Sequence, residues 1–312
     1  MSYQFDVAGV ARLEAYFARI GGCLRDKRKR ESFAMYAFGI LGQDERKSVE
    51  PIASRACGDE GEAQHTPDKL LHFLARASRD DHAVRRVAAR YALAALSARG
   101  EEMTTWVIDD TGFLKQGTCS VGVQRQYTGP VGKIANCQVG VSLSVATRTE
   151  HLPIDFALHL PTSWTEDPAR RAAARIPEEL RFQTKIEQAL GMIERAVQDG
   201  LPGEIVLADS AHGESSLFRE TVRLHGLDDA VGVHAPTKVW CLDKSERRRG
   251  EAIGAQDLGV ALGPRAFRRV TWREGTGGEL SMARFDRSAP PRGLNGTSPT
   301  RSSPRASPSP AS

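Results

Sequence analysis

The chain has 312 residues, 40% of them hydrophobic and 26% charged, with five cysteines and a formal net charge of +4. That length holds two domains, or one domain with an appendage, and the composition suits a globular chain with a sizeable core. No apolar run approaches the ~20 residues a membrane helix needs. Cys23, Cys57, Cys119, Cys137 and Cys241 form no CxxC pair, which excludes a disulfide scaffold or a zinc finger.

The N-terminus lacks a basic segment followed by an apolar stretch, so a cytoplasmic location is expected. Charge is uneven along the chain. Residues 1–100 carry 17 basic and 13 acidic side chains, 101–239 carry 13 and 19, and 240–312 carry 13 and 7. An acidic middle between basic flanks fits a cation-binding centre between surfaces that meet phosphate.

Residues 1–100 read as helical. Val10, Leu13, Phe17 and Ile20 recur at helical spacing, as do Phe33, Ala37 and Leu41. Thr66-Pro67-Asp68 supplies a cap and a first-turn proline, a short helix or turn is expected near Pro51, and another helix over 81–98. Arg25, Lys27, Arg28, Lys29 and Arg30 form the densest basic run, readable as a solvated helix surface or as a phosphate-contacting patch.

Near residue 104 the texture changes. Thr104-Thr105-Trp106-Val107-Ile108 predicts a strand ending at Asp109-Asp110, followed by a glycine-rich stretch over 117–132. Residues 137–145 and 152–160 predict a hairpin, 184–197 a helix, 204–208 a strand ending at Asp209, 215–225 a helix and 230–234 a strand. This alternation predicts an α/β domain with a mixed sheet over 101–285. Residues 286–312 are rich in Ser, Pro and Arg and are expected to be disordered.

Two strands therefore end in aspartate, at Asp109-Asp110 and at Asp209. In open α/β sheets the functional crevice lies at the carboxyl ends of strands. Carboxylates on neighbouring strands can share divalent cations, and Mg²⁺ prefers such oxygen ligands. Alternation sends Asp109 and Asp110 to opposite faces, so one of them belongs to the site. The competing explanation is that aspartates often end strands as turn formers. Lys115, Arg125 and Lys133 lie after the first strand, as phosphate contacts or as solvated surface. His212, three residues after Asp209, is either near the metal or a capping and packing residue.

Several motifs occur in order: Trp106-Val107-Ile108-Asp109-Asp110-Thr111-Gly112-Phe113, Ser120 to Tyr127, Gly132 to Val141, Leu160-Pro161 with Ser163-Trp164, Thr184-Lys185, and Ala208-Asp209-Ser210-Ala211-His212-Gly213. Together they resemble the bacterial insertion-sequence DDE (Asp-Asp-Glu) transposases, in particular the insertion-sequence-701 group, over roughly residues 30–285. The resemblance implies a ribonuclease-H-like mixed sheet with flanking helices, preceded by an all-helical N-terminal region that binds DNA. It implies that the first aspartate ends the first strand and the second ends the fourth. It selects Asp110, which directly precedes a threonine, and Asp209 as metal ligands for Mg²⁺ or Mn²⁺. It further implies DNA as substrate, strand cleavage followed by strand transfer, a second copy of the chain as candidate partner, and a nucleoid-associated state on DNA.

The family's third carboxylate, a glutamate on a later helix, has no counterpart here. Family-like sequence fades near Ala283-Arg284-Phe285, and Glu274 and Glu279 sit in a Gly-rich turn and are not assigned. The expectation is a truncated or frameshifted, inactive copy. Two alternatives remain open: a DNA-binding fragment that does not cut, and an aspartic protease built on Asp110-Thr111-Gly112, whose chemistry needs two carboxylates sharing a proton.

Overall fold

A computed structural model describes residues 7–42, 46–56, 66–77, 80–243, 247–274 and 280–286. The chain divides into two units, one ending at Val233 and one beginning at His234.

Among the described residues the first unit opens with five helices: α1 (Val7–Gly21), α2 (Lys27–Leu41), α3 (Val49–Ala56), α4 (Thr66–Ala75) and α5 (Asp81–Ala98). Their starts follow local chemistry. Asp26 caps α2 by accepting the Arg28 N–H at 2.7 Å, and Asp80 caps α5 by accepting the Ala83 N–H at 2.9 Å. Ile52, Ala53 and Leu70 form a small core joining α3 and α4. Cys57 lies outside the described residues.

Six strands follow: β1 (Thr105–Leu114), β2 (Gln124–Thr128), β3 (Lys133–Ala146), β4 (His151–Leu158), β5 (Ile205–Ala208) and β6 (Asp228–Val231). They form one sheet in the order β2-β3-β1-β5-β6, with β4 also paired to β3. β1, β5 and β6 run parallel, and β3 lies antiparallel to β1, β2 and β4. This is the mixed sheet that the sequence predicts. β2 is an addition, hidden inside the stretch read only as glycine-rich; it pairs with the first residues of β3, beside the span taken by β4. Because of it, Asp209 follows the fifth strand rather than the fourth.

Between the strands lie α6 (Thr162–Thr165), α7 (Pro168–Ala174), α8 (Lys185–Gln198), α9 (Ser210–Gly213) and α10 (Ser216–Leu224). The main core sits on one face of the sheet. Trp106 and Ile108 of β1, Leu143 and Val145 of β3 and Val206 of β5 pack against Ala189, Met192 and Ile193 of α8, Phe218 and Val222 of α10, and Ala89 and Leu93 of α5. Burying each large side chain contributes about 1.5–3 kcal/mol. Helix α5 is therefore built into the sheet's core.

The second unit contains a hairpin of β7 (Lys238–Leu242) with β8 (Arg248–Gly254), a helix α11 (Ala255–Leu262), and a hairpin of β9 (Phe267–Glu274) with β10 (Leu280–Asp286). Glu274 thus ends a strand instead of lying in a turn. Glu279 and the tail beyond Asp286 lie outside the described residues. Among the described residues no helix is long and apolar enough to cross a membrane.

Candidate active site

Asp109 and Asp110 do not end β1, contrary to the sequence expectation. The strand has two partners that stop at different points. Its parallel pairing with β5 finishes at Ile108↔Ala208, whereas its antiparallel pairing with β3 continues through Asp110↔Val141 to Leu114↔Cys137. Asp110 therefore sits two residues past the last parallel pair and Asp209 one residue past it. Both lie just past the end of the parallel pairing of β1 with β5.

The two adjacent aspartates differ as alternation requires. Asp110 has the parity of Trp106 and Ile108, on the core face beside α8, with its side chain 20% exposed. Asp109 is exposed on the opposite face, where its Oδ1 accepts the Asp110 N–H at 2.8 Å.

A cation already faces Asp110. Lys185 Nζ donates to Asp110 Oδ2 at 2.7 Å. Asp110 Oδ1 is buried and has no protein partner. Lys185 is the first residue of α8, whose start is fixed by a reciprocal cap: the Thr184 hydroxyl accepts the Glu187 N–H at 3.2 Å, and Glu187 Oε2 accepts the Thr184 N–H at 2.7 Å. The far end of α8 is held by Arg195, which donates from Nε at 3.1 Å and from Nη2 at 2.7 Å to Asp155 of β4.

His159, just beyond β4, completes this neighbourhood. It is buried. Burial first, and then the charge of Lys185, hold its pKa below the ordinary imidazole value, against the opposing pull of Asp110. Gln188 of α8 donates to the Leu158 carbonyl at 3.1 Å and hydrogen-bonds the His159 ring, opposing that lowering.

Asp209 is arranged differently. It caps the short helix α9, its Oδ1 accepting the Ala211 N–H at 3.0 Å and the His212 N–H at 3.3 Å. The His212 ring adds a bond from Nδ1 at 3.1 Å. Burial opposes the carboxylate charge, but the bonds from the His212 ring and from the backbone outweigh it, so the pKa is lowered. The side chain is 56% exposed. His212 itself is buried against Phe218, and so clamps Asp209 from within the core.

These residues match the needs of a divalent cation in part. Two carboxylates stand at one sheet edge, and one offers a buried, unpartnered oxygen. Among the described residues no group of three or more His, Cys, Asp or Glu side chains gathers to hold a metal ion.

The family model described as DDE superfamily endonuclease matches residues 19–279. The chain belongs to that family. Over 190 residues it is also 28% identical to a protein from Microchaete diplosiphon described as a probable transposase for insertion sequence element IS701. The alignment covers 61% of this chain and 45% of that protein, so the chain spans less than half the length of that relative.

Within this DDE endonuclease chain the remaining sequence candidates fall in separate places. Arg25 precedes α2, while Lys27, Arg28, Lys29 and Arg30 occupy its first turn. Arg25, Lys27 and Arg28 are exposed, whereas Arg30 donates to the Leu24 carbonyl at 3.3 Å. Lys115 follows β1, its N–H bonded to the Asn136 carbonyl. Arg125 and the exposed Tyr127 share one face of β2, and Lys133, opposite Thr128, takes the other. Asp110-Thr111-Gly112 lies inside β1, where a Cβ at Gly112 would overlap the Thr128 side chain, so sheet packing alone accounts for the glycine.

Sequence reading missed His159 and took Lys185 only as part of a motif. A local signal existed for the lysine. A cation at the first position of a helix opposes the helix dipole and needs a reason to be there.

Proposed function

We propose that this chain acts on DNA as a metal-dependent transposase, cutting at the ends of an insertion sequence and transferring the freed strand to a target. Asp110 and Asp209 are its metal ligands. The observation that carries this reading is their placement past the last pair of two neighbouring parallel strands, in a chain of the DDE endonuclease family. A bound Mg²⁺ or Mn²⁺ supplies activation of the attacking oxygen and stabilisation of the leaving one. Asp110 offers its free Oδ1 from the core side. Asp209 offers the oxygen not engaged in capping α9, and His212 fixes its orientation. Lys115, Arg125 and the basic start of α2 are the phosphate contacts, and Tyr127, beside Arg125, gives an aromatic surface on which an unpaired base stacks.

The test is cleavage of element-end DNA in Mn²⁺ by the wild-type chain and by Asp109→Asn, Asp110→Asn and Asp209→Asn. Loss of a direct ligand should lower the rate by more than the roughly 100-fold typical of outer-shell changes. Asp109→Asn should remain active. Activity in Asp110→Asn together with its loss in Asp109→Asn would move the role to Asp109.

A second reading, DNA binding without cutting, is favoured by one observation: among the described residues no third acid joins the two aspartates. Under it, the wild-type chain binds element ends in EDTA and in Mn²⁺ alike and leaves every strand intact.

A further inference from the structure

We propose that Lys185 is an exchangeable counter-cation for Asp110, which neutralises the carboxylate when no metal is bound and leaves it when a divalent cation arrives. The inference rests on the reading of Asp110 as a metal ligand. Three observations carry it.

The first is the pair itself. Lys185 Nζ lies 2.7 Å from Oδ2 of an aspartate that is four-fifths buried, while Oδ1 of the same carboxylate has no partner. A buried charge left unpaired is strongly unfavourable. Lys185 satisfies one oxygen and leaves the other open, as a stand-in for a larger coordination sphere would.

The second is placement against the local rule. Lys185 opens α8, where the helix dipole disfavours a positive charge. The Thr184–Glu187 cap and the Arg195–Asp155 pair already hold both ends of that helix, so the lysine is not needed to anchor it.

The third is freedom to leave. The Lys185 side chain is one-third exposed on a long, flexible stem, and the backbone beneath it is fixed. The side chain can swing toward solvent, or toward a DNA phosphate, without disturbing α8.

The experiment uses the full chain and Mn²⁺ alone as probe. Lysines are labelled with an amine-reactive ester, with and without Mn²⁺, and the modification at Lys185 is read by peptide mass spectrometry. Mn²⁺ affinity is measured by calorimetry for wild type, Lys185→Met and Asp110→Asn. Labelling of Lys185 should be slow without metal and rise at least about five-fold at saturating Mn²⁺. Lys185→Met should bind Mn²⁺ on the order of ten-fold tighter, since the ion no longer competes with the ammonium. Unchanged labelling in wild-type chain that demonstrably binds Mn²⁺ overturns the exchange, whatever the variants do. It would make Lys185 a permanent partner. Mn²⁺ affinity equal in Asp110→Asn and wild type overturns instead the assignment of Asp110 as ligand, and that outcome is visible without reference to Lys185. Absence of Mn²⁺ binding in both wild type and Lys185→Met overturns both.

Discussion

Replacing Gly213 with alanine tests how tightly the site's geometry is built into the fold. Gly213 ends α9, the helix that Asp209 caps, and it lies where α9 meets the end of β6. A Cβ there would overlap the Gly232 carbonyl oxygen and come within 2.9 Å of the Val231 Cβ and 3.0 Å of the Gly232 carbonyl carbon. Two of these three atoms are backbone and the third is a β-carbon, so no rotamer change relieves the overlap. Overpacking typically costs 1–3 kcal/mol, and a clash with rigid atoms belongs at the upper end. Alanine also stiffens the unfolded chain, which returns about 0.4–1 kcal/mol. The net expectation is a loss of about 2–3 kcal/mol. To accept the methyl group α9 must shift away from β6, carrying Asp209 with it.

The control is Gly140→Ala in β3. Its Cβ would meet only the Phe113 ring, at 3.4 Å, so the same chemical change should leave stability within about 1 kcal/mol of wild type. Urea denaturation gives both numbers, and Mn²⁺ titration reads the displacement of Asp209. A Gly213→Ala protein as stable as Gly140→Ala, with unaltered Mn²⁺ affinity, would refute the argument that this close approach sets the site.

Asp155→Ala should destabilise by about 2–3 kcal/mol in denaturation, because it removes a carboxylate only 14% exposed and leaves Arg195 without its ion pair, while Arg85 keeps Asp81. Thr184→Ala should cost about 1 kcal/mol through loss of the α8 cap. Glu187 has its pKa lowered by the Thr184 N–H first and then by the Thr184 hydroxyl. Its contribution is therefore full above the unfolded carboxylate pKa and is lost as pH falls through the lower folded value; Glu187→Gln should flatten that acid limb of the stability profile. Replacing Arg25, Lys27 and Arg28 together with alanine should lower the slope of log affinity for duplex DNA against log salt by about two to three, while leaving stability unchanged or slightly raised, since it removes cations from a helix N-terminus.

Most of the first unit was legible because its elements are punctuated locally. Thr66-Pro67-Asp68 announces a helix start, and the turn Thr147-Arg148-Thr149-Glu150 announces the hairpin of β3 and β4, closed by the Thr147 N–H on the Glu150 carbonyl. Strand β2 escaped because it is short, polar and flanked by glycines. Gln124-Arg125-Gln126-Tyr127-Thr128 has no apolar alternation, and only pairing with β3 makes it a strand. The second unit escaped for a related reason: its hairpins are rich in arginine, as in Arg247-Arg248-Arg249, and show little periodicity.

The site was legible in its acids but not in what surrounds them. Trp106, Val107 and Ile108 are all apolar although only Trp106 and Ile108 are buried, so the sequence alone shows no alternation that says which of Asp109 and Asp110 faces the core. That choice is made by α8, whose residues begin 75 positions later, when Lys185 reaches Asp110. Contacts at such separations leave no periodic trace. They do leave local inconsistencies, because each element must satisfy its neighbours as well as itself. A lysine at the first position of α8, and cations filling the first turn of α2, both run against the helix dipole. Aspartate caps at strand ends run with it and are uninformative by themselves. Where every local preference agrees, packing is a sufficient explanation. Where a charge sits against its own helix, its partner must be sought elsewhere, as Lys185 finds Asp110 on the sheet.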